Sequence, residues 1–266
     1  MIKFVILIFQ GLFLLNCAGN LSTISSSSSG SVILINHRNA DLLPSDVSVI
    51  SGIKALDIYF EHASVGGNIM GGIRGLSTDN ATYTLNLGAF YSTIDTNWFR
   101  KTNGLVENNR GNPGADQKIE LFSSNMRTSG FAETVGLAMY KFCYIDTPSN
   151  PGLLFTNAMN SMEVLESNYP NVHFIWWTMP LQSAGSANNG IHSFNVLVRS
   201  YCALNNKPLF DLADIEAWDT NGSYLTNTSG RPYLAPIYTD DGGHLNAIGS
   251  KRAAIGLWNL FACFVK

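Results

Sequence analysis

Charge is scarce in this chain. Lys, Arg, Asp and Glu make up 13 % of its 266 residues, about half the share usual for soluble proteins. The 16 basic residues form no cluster and the formal net charge is −3. That leaves no basic footprint for nucleic acid or an anionic membrane surface. There are 5 histidines and 4 cysteines, with no Cys-x-x-Cys pair and no zinc-ligand spacing. No Gly-x-Gly-x-x-Gly, P-loop or Gly-x-Ser-x-Gly occurs, so nucleotide binding and the α/β-hydrolase elbow have no support. No cofactor or metal is implied. The apolar run from Phe4 to Leu15 is broken by Gln10 and Gly11, and it falls short of the roughly 20 residues that span a bilayer.

What is present is a large apolar reserve, 45 % of residues, in a chain long enough for one substantial α/β domain. The N-terminus has the form of an export signal, with Lys3 ahead of the apolar run. Leu14-Leu15-Asn16-Cys17 resembles a bacterial lipobox, although Asn16 replaces the small residue usual before the cysteine. The expected layout is a signal peptide and lipobox at 1–17, with Cys17 lipidated, and then a Ser-rich tether and lead-in at 18–50. The globular domain follows at 51–266. Secretion after a different cleavage is the competing expectation, and either one puts the protein in the cell envelope or outside the cell. Cys202 and Cys263 lie in helical patterns and are expected to be able to pair, whereas Cys143 reads as a small buried hydrophobe.

Strand and helix patterns alternate. Strands are expected at Lys54–Phe60, Tyr83–Phe90, Val135–Ile145, Val172–Thr178 and Pro208–Asp211. Helices are expected at 68–76, 115–126, from Pro151 onward, at 192–205 and at 245–265. Leu154, Ala158, Met162 and Leu165 form an apolar stripe behind Pro151, and Phe194, Leu197, Val198, Tyr201 and Cys202 form another. Alternation of this kind predicts a mostly parallel central sheet covered on both faces, a three-layer α/β/α arrangement. Sites in such sheets lie at the carboxyl ends of the strands.

Two motifs sit at such positions. His62-Ala63-Ser64-Val65-Gly66-Gly67-Asn68 follows the first strand, and Asp241-Gly242-Gly243-His244-Leu245-Asn246 precedes the last helix. A serine hydroxyl needs a base to remove its proton, and the base needs a carboxylate to fix its tautomer. Ser64, His244 and Asp241 supply these parts. Asp240 is the neighbouring competitor for Asp241, and the three-residue spacing favours Asp241. The competing role for Ser64 is a plain helix N-cap.

These two blocks resemble those of the SGNH hydrolases, the GDSL esterase/lipase superfamily. The Asp241–Gly249 block matches closely, whereas Gly-Asp-Ser is replaced by His62-Ala63-Ser64, as in a less studied branch. The resemblance spans about Leu56 to Phe261. It implies a flavodoxin-like fold and a serine esterase acting on small-molecule or glycan O-acyl esters, including carbohydrate acetyl esters, or on lipid esters. It also implies three oxyanion donors: the Ser64 amide, a Gly amide and an Asn side chain. Gly114 is the expected glycine, with Gly111 next. No Gly-x-Asn-Asp block follows the strand at 135–145, so Lys141, Tyr144 and Asn68 are the substitutes for the third donor. His62 either touches substrate or holds a loop.

That gap motivates a second reading, a non-catalytic surface lipoprotein binding glycan or protein. A third, a metal-dependent hydrolase, would use Asp211, Asp214, Asp241 and His244.

Overall fold

The computed structural model describes residues 32–90, 103–128, 130–184 and 188–265. Its strands are β1 (Leu34–Ile35), β2 (Asp57–His62), β3 (Leu87–Phe90), β4 (Gly104–Asn109), β5 (Leu137–Tyr140), β6 (His173–Trp177) and β7 (Leu209–Phe210). They form one sheet in the order β1-β7-β6-β5-β2-β4-β3, and every pairing is parallel. The helices are α1 (Val47–Lys54), α2 (Val65–Asp79), α3 (Ala115–Thr128), α4 (Pro151–Asn168), α5 (Asn188–Asn205), α6 (Leu212–Ala217) and α7 (Ala247–Ala262). Helices α1, α2 and α6 pack against α7, whereas α3, α4 and α5 pack side by side. Consecutive residues of β2 face these two layers in turn. Tyr59 stacks on Phe131 and Phe122, and Phe60 stacks on Trp177, which meets Phe210. The three-layer α/β/α fold follows from this sheet order and layering. No described helix is long and apolar enough to cross a membrane.

Several elements differ from expectation. Lys54 ends α1, and β2 runs later than expected, through His62. Strand β4 was not anticipated, yet it pairs with β2 along its whole length. The sheet also takes in β1, ahead of the domain boundary expected at residue 51. The apolar stretch 135–145 is buried through most of its length but forms strand only at Leu137–Tyr140. Burial alone writes an apolar run, whereas strand needs a partner for the ladder. Cys202 is a free, buried thiol, so the Cys202–Cys263 pair is not formed. The signal, Cys17 and the tether through residue 31 lie outside the described residues.

The chain turns from one side of β2 to the other between β4 and β5. The carboxyl end of β2 is therefore the crevice where connections diverge, the usual place for a ligand in an open parallel sheet. Helix α2 can lie close to α7 there because its glycines leave room. A Cβ on Gly72 would collide with the Ser250 carbonyl of α7.

Candidate active site

Strand β2 delivers Ser64. Its ladder closes with Lys141 N donating to Glu61 O at 3.3 Å and Arg110 N donating to His62 O at 3.1 Å. Ala63 is buried, and Ser64 then turns the chain sharply into α2 with φ 54° and ψ −116°. Only two described non-glycine residues have positive φ, Ser64 and Asn206. Such a conformation costs about 1–3 kcal/mol and persists only where its surroundings impose it. Here they do. The Ala63 carbonyl is held by the Lys141 ammonium at 3.2 Å and faces the Cys143 thiol at 3.5 Å. On the far side, the Ser64 carbonyl accepts from Gly67 N at 2.7 Å and Asn68 N at 3.3 Å.

Ser64 stands at the N-cap of α2 yet makes no side-chain cap bond. Its hydroxyl instead meets His244 Nε2 at 2.8 Å. His244 Nδ1 meets Asp241 Oδ2 at 2.6 Å. Asp241 Oδ1 accepts from the backbone N–H groups of His244, at 2.7 Å, and Gly243, at 2.9 Å. The His244 bond, aided by these two amides, holds the Asp241 carboxyl far below the usual carboxylate range. Asp240 is engaged elsewhere, accepting from Asn246 Nδ2 at 3.2 Å. Asn246 in turn caps α7 through Ile248 N and Gly249 N. A lone helix start thus presents the imidazole, and an Asx turn gathers the acid beneath it.

The loop from Asp241 to His244 is tied down from the side by a residue the sequence did not single out. Ser183 N and Oγ both donate to Gly242 O, at 2.8 and 2.9 Å. Buried Asn188 fixes the Ser183 segment through Gln182 N, Gln182 O and Ser183 O. No periodicity or motif marks Ser183. Only the packing of the β6–α5 connection on the Asp241–His244 loop reveals it.

The other candidate residues fall as follows. His62 is buried, with Nε2 at 2.8 Å from Glu107 Oε2, and Glu107 also pairs with Arg74. Burial depresses its pKa. A Cβ on Gly66 would strike the His62 side chain, so His62 lies under the first turn of α2 and holds structure. Lys141 is 1 % exposed, and its ammonium donates to the Ala63 and Phe142 carbonyls at 3.2 and 2.9 Å. Burial pulls its pKa down to about 8. It braces the backbone before Ser64 and does not face the open crevice. Asn68 accepts from Leu245 N at 3.3 Å, linking α2 to the loop that carries His244. Gly114 is exposed, with φ 108°, on the loop between β4 and α3. It leaves the same edge of the sheet as Ser64.

Beneath the crevice lies a buried polar frame. Arg110 pairs with Glu61, at side-chain exposures of 3 % and 0 %. Glu61 also accepts from Tyr59 and Asn125. Lys118 pairs with Asp146, which accepts from Cys143 N. Removing one partner of such a buried pair typically costs about 3–5 kcal/mol. Asp211 is taken by Arg199 through both carboxylate oxygens and by Thr178, and Asp214 pairs with His37. Among the described residues no group of three or more His, Cys, Asp or Glu side chains could hold a metal ion, and the four residues of the metal reading do not gather.

No protein-family model matches the chain, and no curated protein matches it. Solved structures similar to it include a GDSL-like lipase from Bacteroides thetaiotaomicron, at 17 % identity over 82 % of this chain and 90 % of the other, with TM-score 0.46. A family 3 carbohydrate esterase from Clostridium thermocellum is similar at 14 % identity over 79 % and 99 %, also with TM-score 0.46. A protein described as lipolytic, of the G-D-S-L family, from Desulfitobacterium hafniense is similar at 14 % identity over 77 % and 99 %, with TM-score 0.47.

Proposed function

We propose that this chain is a serine hydrolase of carboxylic esters. One observation carries the proposal: a serine hydroxyl in a strained turn, spared from capping its helix, is hydrogen-bonded to an imidazole that is itself held by a carboxylate. His244 Nε2 takes the Ser64 proton as Oγ attacks the acyl carbon. Asp241 holds the Nδ1–H tautomer and stabilises the imidazolium. The developing oxyanion forms beside the Ser64 amide at the N-terminus of α2, where the helix dipole favours negative charge. Gly114 N–H is the proposed second donor. His244 then protonates the leaving alcohol and activates the water that releases the acyl group.

The substrate class we assign is O-acyl esters of bulky alcohols, carbohydrate acetyl esters among them. His244 and Asp241 are 43 % and 56 % exposed at the side chain, so the site is open and can admit a large alcohol portion beside a small acyl group. The composition of residues 1–17 supports export and lipidation at Cys17. Cys17→Ser should then release the protein from the membrane fraction, and unchanged fractionation would refute the anchor.

Ser64→Ala should fold and lose both fluorophosphonate labelling and hydrolysis of a p-nitrophenyl acetate-type ester. Hydrolysis at the wild-type rate in this variant would refute the mechanism.

A further inference from the structure

We propose that the Tyr144 hydroxyl is a further catalytic group of this site. It donates a hydrogen bond to the alcohol oxygen of the ester as that oxygen departs, and later to the water that takes its place. The inference rests on the serine-hydrolase mechanism above.

Tyr144 opens the turn that follows β5, and its ring meets the His244 ring edge-on, with centroids 5.5 Å apart. Its hydroxyl lies 3.4 Å from His244 Nδ1 and 3.5 Å from Nε2. The two distances are nearly equal, so the hydroxyl is directed squarely at neither nitrogen. Both lengths are long for a hydrogen bond, so His244 engages the hydroxyl only weakly. Of the other two substitutes for a third donor, Lys141 is spent on backbone carbonyls. Among the described residues, Asn68 is engaged through its oxygen, which accepts from Leu245 N, and not through its amide nitrogen. The Tyr144 turn is firmly set. Asp146 accepts from Cys143 N and pairs with buried Lys118, and Thr147 Oγ1 donates to Tyr144 O at 2.6 Å. The ring presses on the catalytic loop so closely that a Cβ on Gly243 would strike it. Burial and the Asp241 charge raise the phenol pKa, which keeps it a donor at neutral pH.

Position decides which substrate oxygen it meets. Nε2 must reach the leaving oxygen to protonate it, and Nε2 is also 2.8 Å from Ser64 Oγ. An oxygen bonded to Nε2 can come within reach of the Tyr144 hydroxyl, which lies 3.5 Å from that nitrogen, whereas the proposed oxyanion lies beside the Ser64 amide. In the step itself, the bond from acyl carbon to alcohol oxygen breaks. The imidazolium proton passes to that oxygen, and the acyl group stays on Ser64. Tyr144 lends a hydrogen bond throughout and keeps its proton.

The test compares Tyr144→Phe with wild type across a series of acetate esters, from phenols of low pKa to alkyl alcohols. A phenolate leaves without help, whereas an alkoxide does not. The ratio of kcat/KM for alkyl over aryl esters should fall about tenfold, the worth of one neutral hydrogen bond. Fluorophosphonate labelling of Ser64 in the variant should proceed at a rate close to wild type, showing the Ser64–His244 pair intact. A uniform loss across the series, no loss, or loss of labelling would each overturn the role of Tyr144. Only failure of Ser64→Ala to lose hydrolysis would overturn the underlying mechanism, so the two are separable.

Discussion

Replacing Asp241 by Asn makes the sharpest demand on the geometry. In the native loop, Oδ1 accepts from two backbone N–H groups and Oδ2 faces His244 Nδ1. An asparagine there has only one way to lie, because its oxygen must stay with the two amides. Its NH₂ then faces Nδ1 and donates to it. The imidazole is forced to carry its proton on Nε2, the atom that must accept the Ser64 proton. In a sequestered triad this mismatch lowers kcat about 10⁴-fold. Here Asp241 and His244 are about half exposed, so water competes for both, and we expect a loss nearer 10³-fold. Asp241→Ala should lose less, because it leaves the tautomer free and a water can occupy the site. Steady-state hydrolysis of an activated ester, with circular dichroism to confirm folding, measures both variants. If Asp241→Asn kept more than a tenth of wild-type kcat, or outperformed Asp241→Ala, Asp241 would not be setting the tautomer.

Two further outcomes follow from the same structure. Because Ser64 holds positive φ, Ser64→Gly should be more stable than Ser64→Ala by about 1 kcal/mol, read from paired thermal melts, and equal melting temperatures would remove the strain. Glu216 is fully buried with its pKa raised to about 8 by that burial. Its favourable contribution is therefore complete below the unfolded value of 4.5 and is lost as pH rises through about 8. Lys141 stays charged in both states below about pH 8 and so adds no slope there. The melting temperature of wild type should then decline relative to Glu216→Gln between pH 5 and 8, and parallel curves would refute the raised pKa.

The parallel layered fold was legible because apolar strand and helix segments alternate, and α4 buries the Leu154, Ala158, Met162 and Leu165 stripe that its spacing predicts. The contact of Ser64 with His244 was legible as two motifs at the right ends of elements. Strand β4 was not. Gly-Leu-Val-Glu-Asn-Asn has only two apolar side chains, since Glu107 and Asn108 are satisfied by His62, Arg74 and Tyr59 from distant segments. Partners so far along the chain leave no local pattern. The same holds for Lys141. The missing Gly-x-Asn-Asp block made it a substitute oxyanion donor, yet its ammonium turns inward to carbonyls that only the folded backbone brings within reach.

The hydroxyl and its base arise from opposite ends of the described chain, 180 residues apart, and the base rides on the loop that leads into α7. During synthesis the alcohol therefore emerges long before anything can deprotonate it. On the proposed mechanism, a nascent or truncated polypeptide ending before residue 239 would be chemically silent, and turnover would begin only once the final helix had docked. Hydrolysis would then report, on that mechanism, that the whole sheet-and-helix assembly has closed.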